Sequence, residues 1–290
     1  MNIKLTLAKY PIQWRFVLRW FGSFLILTFL SILLVNYFKP NGHDWQITQR
    51  PAILNFIQKG INPYMNPHFF NPPWQLILLA PFILLPPGVD NIVLFLLTLI
   101  VFGYVAYCFG AKPVALACFL LTPQVLNVAH NGQTDWLVAL GLILPRPIGL
   151  FLVLIKPQIG AGIALYWLID SFRSGGIKRV LIDFLPVTSA FGLSFVIFGN
   201  YLFNGASRLI QPDIIWNMSY WPQWIPIGLV LLIYAIQKRS QNHAILASPF
   251  FSPYVAIYSW STPMLGVIDN QWMMTAIMVC SWILKMMRVL

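Results

Sequence analysis

The chain has 290 residues, 59% apolar and 9% charged, with a mean hydropathy of +0.74 and a formal net charge of +11. Soluble domains carry about 25% charged residues, so this composition excludes a water-solvated globule and implies a chain whose solvent is mostly lipid. The net positive charge does not imply nucleic acid as a partner, because most basic residues sit in short clusters between apolar runs, as the positive-inside rule demands.

In chain order, the head carries Lys4, Lys9, Arg15 and Arg19, which places the N-terminus in the cytoplasm. Residues 20–38 form an apolar run that reaches about 28 Å as a helix, one hydrocarbon thickness. No small-residue cleavage site follows it, so it reads as an uncleaved first span. Residues 39–74 then form an outer loop. Within it Trp45, Ile53, Leu54, Phe56 and Ile57 oppose Gln49, Arg50, Asn55, Gln58 and Lys59, the pattern of a short helix lying in the interface. Gly60 and Asn62-Pro63 end that helix.

Further basic clusters at Arg173 to Arg179, Lys238-Arg239 and Lys285 to Arg288 mark returns to the cytoplasm, the C-terminus included. Between them spans are expected at 180–200, 224–237, 245–261 and 270–284, with a second outer loop from Tyr201 to Gln223. The middle, 73–172, holds six apolar runs, several too short for an ordinary span and broken by prolines. At least one is a partial or re-entrant helix, tolerated where it lines a cavity. The expected fold is all-α: a single transmembrane domain over 1–290, a polytopic helical bundle of about ten spans.

There is no glutamate, so the candidate carboxylates are Asp44, Asp90, Asp135, Asp170, Asp183, Asp213 and Asp269. Cys108, Cys118 and Cys280 lie in apolar stretches and read as small core residues. Neither they nor the four scattered histidines form a metal-ligand set, so no metal or cofactor is expected.

Three places carry candidate chemistry. Asp44 stands just before the outer-loop helix, either as its N-cap or as a general base at the membrane surface. His130-Asn131-Gly132-Gln133-Thr134-Asp135 is a polar island between apolar runs; it is either an aqueous turn or the edge of a substrate cavity. Lys156, before Pro157, falls at membrane depth, where a lysine costs ~3 kcal/mol or more. It must snorkel, pair with an acid or bind an anion. The nearest acid along the chain, Asp170, is too far for a local pair, although a distant acid such as Asp44 or Asp135 could approach through the fold; anion binding is the favoured reading. Arg208 and Asp213 in the second outer loop either touch substrate or lie at the interface. Asn217-Met218-Ser219 is a glycosylation sequon of low specificity.

Taken in order, these landmarks resemble the C-type glycosyltransferases that use polyprenyl-phosphate sugars, and most nearly the bacterial mannosyltransferase-like glycosyltransferase family 87. The resemblance rests on Asp44 soon after the first span, Gly60-Ile61-Asn62-Pro63-Tyr64, Phe70-Asn71-Pro72-Pro73, Gly132-Gln133, Lys156-Pro157, and Ser248-Pro249 followed by Phe250, Phe251 and Tyr254. The chain is shorter than most such enzymes and its second outer loop is small.

The resemblance implies transfer of a mannose-like hexose or pentose on the outer face of a bacterial plasma membrane. The donor is a polyprenyl-phosphate sugar, the acceptor a lipid or glycan, and the anomeric centre inverts. Asp44 is the expected base. Lys156, with Arg50 and Arg208, is expected to hold the donor phosphate. His130, Asn131, Gln133, Asp135 and Tyr64 are expected to bind substrate. The rival reading is a transporter or lipid-binding membrane protein without chemistry, since broken helices and an intramembrane lysine also mark transport sites. The position of Asp44 in an interfacial loop, away from the midplane, favours the enzyme.

Overall fold

The computed structural model describes residues 28–201, 217–219 and 221–287. Lys4, Lys9, Arg15, Arg19, Arg208, Asp213 and Arg288 lie outside the described residues, as do residues 20–27 of the first predicted span. Among the described residues no strand forms; one isolated bridge joins Asn217 to Ala256. The chain is all-helical, and it divides after Lys39 into two compact units.

The first unit is represented by helix α1, Thr28–Phe38, closed by Lys39 N–H on the Val35 carbonyl at 2.8 Å. The second unit, from Pro40 onward, contains everything described below.

Within the expected outer loop, a π-helical turn, Trp45–Gln49, runs on into α2, Arg50–Lys59. Pro51 explains the wide turn: it has no N–H to give the carbonyl four residues back. The carbonyl so released, that of Ile47, takes the Asn66 side-chain amide instead, at 3.3 Å. Gly60 ends α2 at φ 64°, with Gly60 and Ile61 N–H on the carbonyls of Phe56 and Asn55. This left-handed close suits a residue without Cβ.

The middle region sets one full-length helix, α4 (Val89–Cys108), among short ones: α3 (Trp74–Leu79, continuing as a 3-10 turn to Leu84), α5 (Pro113–Leu120), α6 (Pro123–Asn131), α7 (Asp135–Gly141) and α8 (Arg146–Val153). Prolines stand at or beside the first residue of α5, α6 and α8, where a missing N–H costs nothing and the preceding residue is forced extended. An eight-residue helix reaches about 12 Å, under half a hydrocarbon thickness. α5 and α6 together could cross as one span bent by 54°.

The long element α9, Pro157–Phe198, joins what the sequence predicts as two spans. It leaves helical geometry at Gly175 and Gly176. The break is braced by Asp183, which is fully buried and accepts from Ser171 Oγ at 2.7 Å and Arg179 Nε at 3.0 Å. Arg146 reaches in from α8 and pairs with Asp170. The chain finishes with α10 (Ile225–Lys238), α11 (Gln241–Ala247), three short 3-10 turns between Ser248 and Val267, and α12 (Gln271–Met286).

The expected count of about ten spans is corrected. Two described helices, α4 and α9, are long and apolar enough to cross a membrane, or three if the bent pair is one span. The expected span 245–261 is not one helix, because Pro249 and Pro253 divide it. The core is aromatic and aliphatic, including Trp45, Phe69, Phe95, Phe102 and Phe119, all essentially buried. The outer surface is apolar too: Leu84 and Val196 are each 83% exposed. Apolar groups facing outward over buried Gln, Asp and Lys side chains are what a lipid-solvated protein presents.

Candidate functional site

A cavity of about 880 Å³ opens where the outer-loop segment meets the broken helices. His43 and Asp44, just before the π-helical turn, line it with Thr48 and Gln49 of that turn, and His68, Phe70 and Asn71 do so from the stretch before α3. Asn127, Asn131 and Gln133 come from α6 and its exit, Lys156 and Gln158 from the start of α9, and Tyr254 and Tyr258 from the late segment.

Two backbone contacts bring these pieces together. Gly42 N–H donates to the His130 carbonyl at 2.9 Å. Gly132 ends α6 at φ 68°, and a Cβ there would lie 2.8 Å from Trp45 Cβ. Glycine serves both needs, the left-handed turn and the close approach.

Asp44 does not cap the helix. It already has helical φ and ψ (−69°, −30°) and makes no side-chain cap bond. Its Oδ2 instead accepts from Gln133 Nε2 at 2.5 Å. The other end of that amide, Gln133 Oε1, accepts from Lys156 Nζ at 2.9 Å. Lys156 Nζ in turn pairs with Asp135 Oδ2 at 2.5 Å and stands 4.9 Å from the centre of the Tyr258 ring. Four side chains thus form one polar chain, Asp44–Gln133–Lys156–Asp135, running from the cavity into the core. Lysine can only donate and a carboxylate can only accept, so the amide orientation follows from its neighbours.

Of the two distant acids that could reach Lys156 through the fold, Asp44 and Asp135, it is Asp135 that pairs with it, so the preference for an anion over a structural pair meets a structural pair. Asp135 opens α7 and Lys156 immediately precedes α9, and the fold sets the two helix starts side by side. An acid at a helix N-terminus is favoured and a cation there is not, so each helps to hold the other. Both are buried, Asp135 completely. Asp135 does not line the cavity; it lies behind Lys156.

Arg50 is not in the cavity either. Its Nη1 meets Asp90 Oδ2 at 2.5 Å. Asp90, fully buried at the start of α4, also accepts from Trp45 Nε1 at 2.7 Å and from the N–H groups of Gly88 and Asn91. Arg50 and Asp90 hold α2 and the π-helical turn onto the start of α4, a role not expected for Arg50 from its sequence position. Tyr64 is likewise structural: it donates to the Asn71 carbonyl at 2.8 Å and stacks on Tyr201, with Phe69 and Phe198 at its edges. Burial, and next Tyr201, push its hydroxyl well above the ordinary tyrosine range. His130 contributes its carbonyl rather than its ring. Arg208 lies outside the described residues.

Of the predicted site residues, Asp44, Asn131, Gln133 and Lys156 come together at the cavity. His68, Asn127, Gln158 and Tyr258 join them without having been singled out for binding. Asn127 was open to discovery, since it lies four residues before Asn131 and so on the same helix face; the two amides bond at 2.9 Å. Burial raises the hydroxyls of Tyr254 and Tyr258 above the usual tyrosine range, so both stay protonated donors. The lining is thus rich in amides and hydroxyls, which both give and accept hydrogen bonds. Among the described residues, no three His, Cys, Asp or Glu side chains gather as metal ligands.

Comparisons with protein families, with curated proteins and with solved structures find no match to this chain.

Proposed function

We propose that the protein is a membrane glycosyltransferase that takes a sugar from a polyprenyl-phosphate donor. The acceptor is a hydroxyl of a lipid or glycan, and Asp44 is the base. The observation that carries the reading is Asp44 itself. It is a partly exposed carboxylate that leaves its helix uncapped, faces a polar cavity, and has one oxygen tied to Gln133. A carboxylate placed to cap would support the outer-loop helix and nothing more.

The chemistry is a direct displacement. The acceptor O–H gives its proton to Asp44 while its oxygen bonds to the anomeric carbon. The bond from that carbon to the phosphate oxygen breaks, and the lipid phosphate leaves with the electron pair. One base and no second carboxylate in the lining suit a single step with inversion. Asn71, Asn127, Asn131 and Gln158 suit sugar hydroxyls, and Phe70 and Tyr254 supply flat apolar faces beside them.

The donor lipid would stay in the bilayer with its head at the cavity, so membrane lipids surround the site. The sidedness follows from the basic clusters: cytoplasmic at both termini and at Arg173 to Arg179, with the 39–74 segment outside, in a bacterial plasma membrane.

Purified protein in liposomes, supplied with radiolabelled polyprenyl-phosphate mannose and related donors, should release labelled product only when a hydroxyl acceptor is present. Label that merely moves across the bilayer without transfer would support the transporter reading instead.

A further inference from the structure

We propose that Gln133 is a positioning residue for Asp44, and that the buried Asp135–Lys156 pair acts on Asp44 through it by holding the amide in one orientation. The proposal rests on the reading of Asp44 as the reacting base, and it gives Lys156 a role other than direct contact with a phosphate.

The argument is one of donors and acceptors. A glutamine amide facing a carboxylate can turn either its N–H or its C=O toward it, and only the first attracts. Lys156 Nζ decides between them, because it has no lone pair to offer: the amide oxygen goes to the ammonium at 2.9 Å and the N–H to Asp44 Oδ2 at 2.5 Å. Asp135, at 2.5 Å, and the Tyr258 ring fix the ammonium in turn.

Each of these groups is anchored by backbone: Asp135 and Lys156 at helix starts, Gln133 by its N–H on the Val128 carbonyl at 3.0 Å. Asp44 then has one oxygen held. Among the described residues nothing bonds the other, Oδ1, which is left to receive a proton. A base held by one oxygen and open at the other keeps its proton-accepting lone pair aimed at the cavity.

The alternative for Lys156 is direct service to an anion. Its Nζ already has Gln133, Asp135 and an aromatic face around it, and the residue is 3% exposed. That arrangement suits an orienting ion pair better than a ligand contact.

The test compares three proteins with the parent: Gln133→Leu, the neutral exchange Asp135→Asn with Lys156→Met, and all three changes together. The exchange removes both charges at once, so no buried charge is left alone. The first readout does not need transfer. A hydrophobic carbodiimide attacks protonated carboxyls, and peptide mass spectrometry gives its rate at Asp44. All rates are compared at one fixed pH, since His43, His68, Lys156, Tyr254 and Tyr258 also line this cavity. Losing the Gln133 N–H disfavours the charged carboxylate, so Gln133→Leu should speed modification about tenfold, the worth of one charge-assisted hydrogen bond. The exchange should speed it several-fold. The triple variant should go no faster than Gln133→Leu.

The second readout is kinetic: kcat for transfer should fall in the same order, with the donor KM unchanged. Lys156→Arg, which keeps a donor toward the amide oxygen, should recover part of the loss. Unchanged Asp44 reactivity in the exchange variant, or effects that multiply in the triple variant, would overturn the relay. A raised donor KM with kcat kept would assign Lys156 to the phosphate. A parent protein without transfer would end the glycosyltransferase reading, while the carbodiimide rates would still decide the relay.

Discussion

Trp45 and Gly132 are in close contact: a Cβ added at Gly132 would lie only 2.8 Å from the Cβ of Trp45, the residue that opens the π-helical turn. The contact is the hinge point of the site. Asp44 precedes Trp45 and Gln133 follows Gly132, so the approach of the two backbones sets the distance between the two side chains.

Gly132→Ala should therefore do two things. A left-handed φ of 68° and a Cβ against Trp45 together cost roughly 1–3 kcal/mol, seen as a lower unfolding midpoint in detergent. Because the backbones must part, transfer should fall by more than the folded fraction does. Parent-like stability and transfer would mean that Trp45 yields freely and the contact positions nothing.

The Asp135–Lys156 pair makes a separate stability prediction. Breaking a buried pair from one side leaves a lone charge and costs roughly 3–5 kcal/mol, whereas replacing both partners is often neutral. Asp135→Asn alone should sharply lower the unfolding midpoint. Asp135→Asn with Lys156→Met should restore most of it. Equal loss in both would show that the pair is not energetically coupled.

Arg50 offers the opposite contrast. Its guanidinium serves Asp90, which is completely buried, so Arg50→Met should cost about 3 kcal/mol or more. The donor KM of the protein that remains folded should not change. A donor KM raised tenfold at full stability would put Arg50 back at the phosphate.

How far the sequence could be read varies from part to part. α2, its end at Gly60 and the apolar run that becomes α4 follow from local pattern, and local pattern suffices for them. The interruption of the middle region was visible in its prolines. How the pieces pack was not, because helices of seven to nine residues have no face long enough to predict a partner.

The site divides in the same way. Asp44, Gln133 and Lys156 stand out as polar groups in apolar surroundings. Their connection does not, since Gln133 lies 89 positions from Asp44 and Asp135 lies 21 from Lys156. The sequence excludes a local acid for Lys156 and leaves Asp44 and Asp135 as distant candidates; only the fold chooses Asp135, from another helix. Arg50 was misplaced for the same reason: Asp90, its partner, is 40 positions away.

Sidedness can be tested without any substrate. In a background lacking Cys108, Cys118 and Cys280, single cysteines at Met65, which is 76% exposed, and at Ser174 should react with an impermeant thiol reagent from opposite faces of the membrane. Met65 is expected outside and Ser174 inside, as the basic clusters require. Reaction from the same face would contradict the proposed topology, and with it the proposal that the cavity faces outward.

The most direct measurement is transfer by Asp44→Asn. The amide keeps the size of the side chain and removes its basicity. Since Asp44 makes no cap bond, the unfolding midpoint should stay close to the parent's. With radiolabelled polyprenyl-phosphate sugar and a hydroxyl acceptor, product formation should fall by at least 10²-fold, the usual worth of a general base. An Asp44→Asn protein that transfers sugar at the parent's rate would contradict the account and leave Asp44 a bystander at the mouth of the cavity.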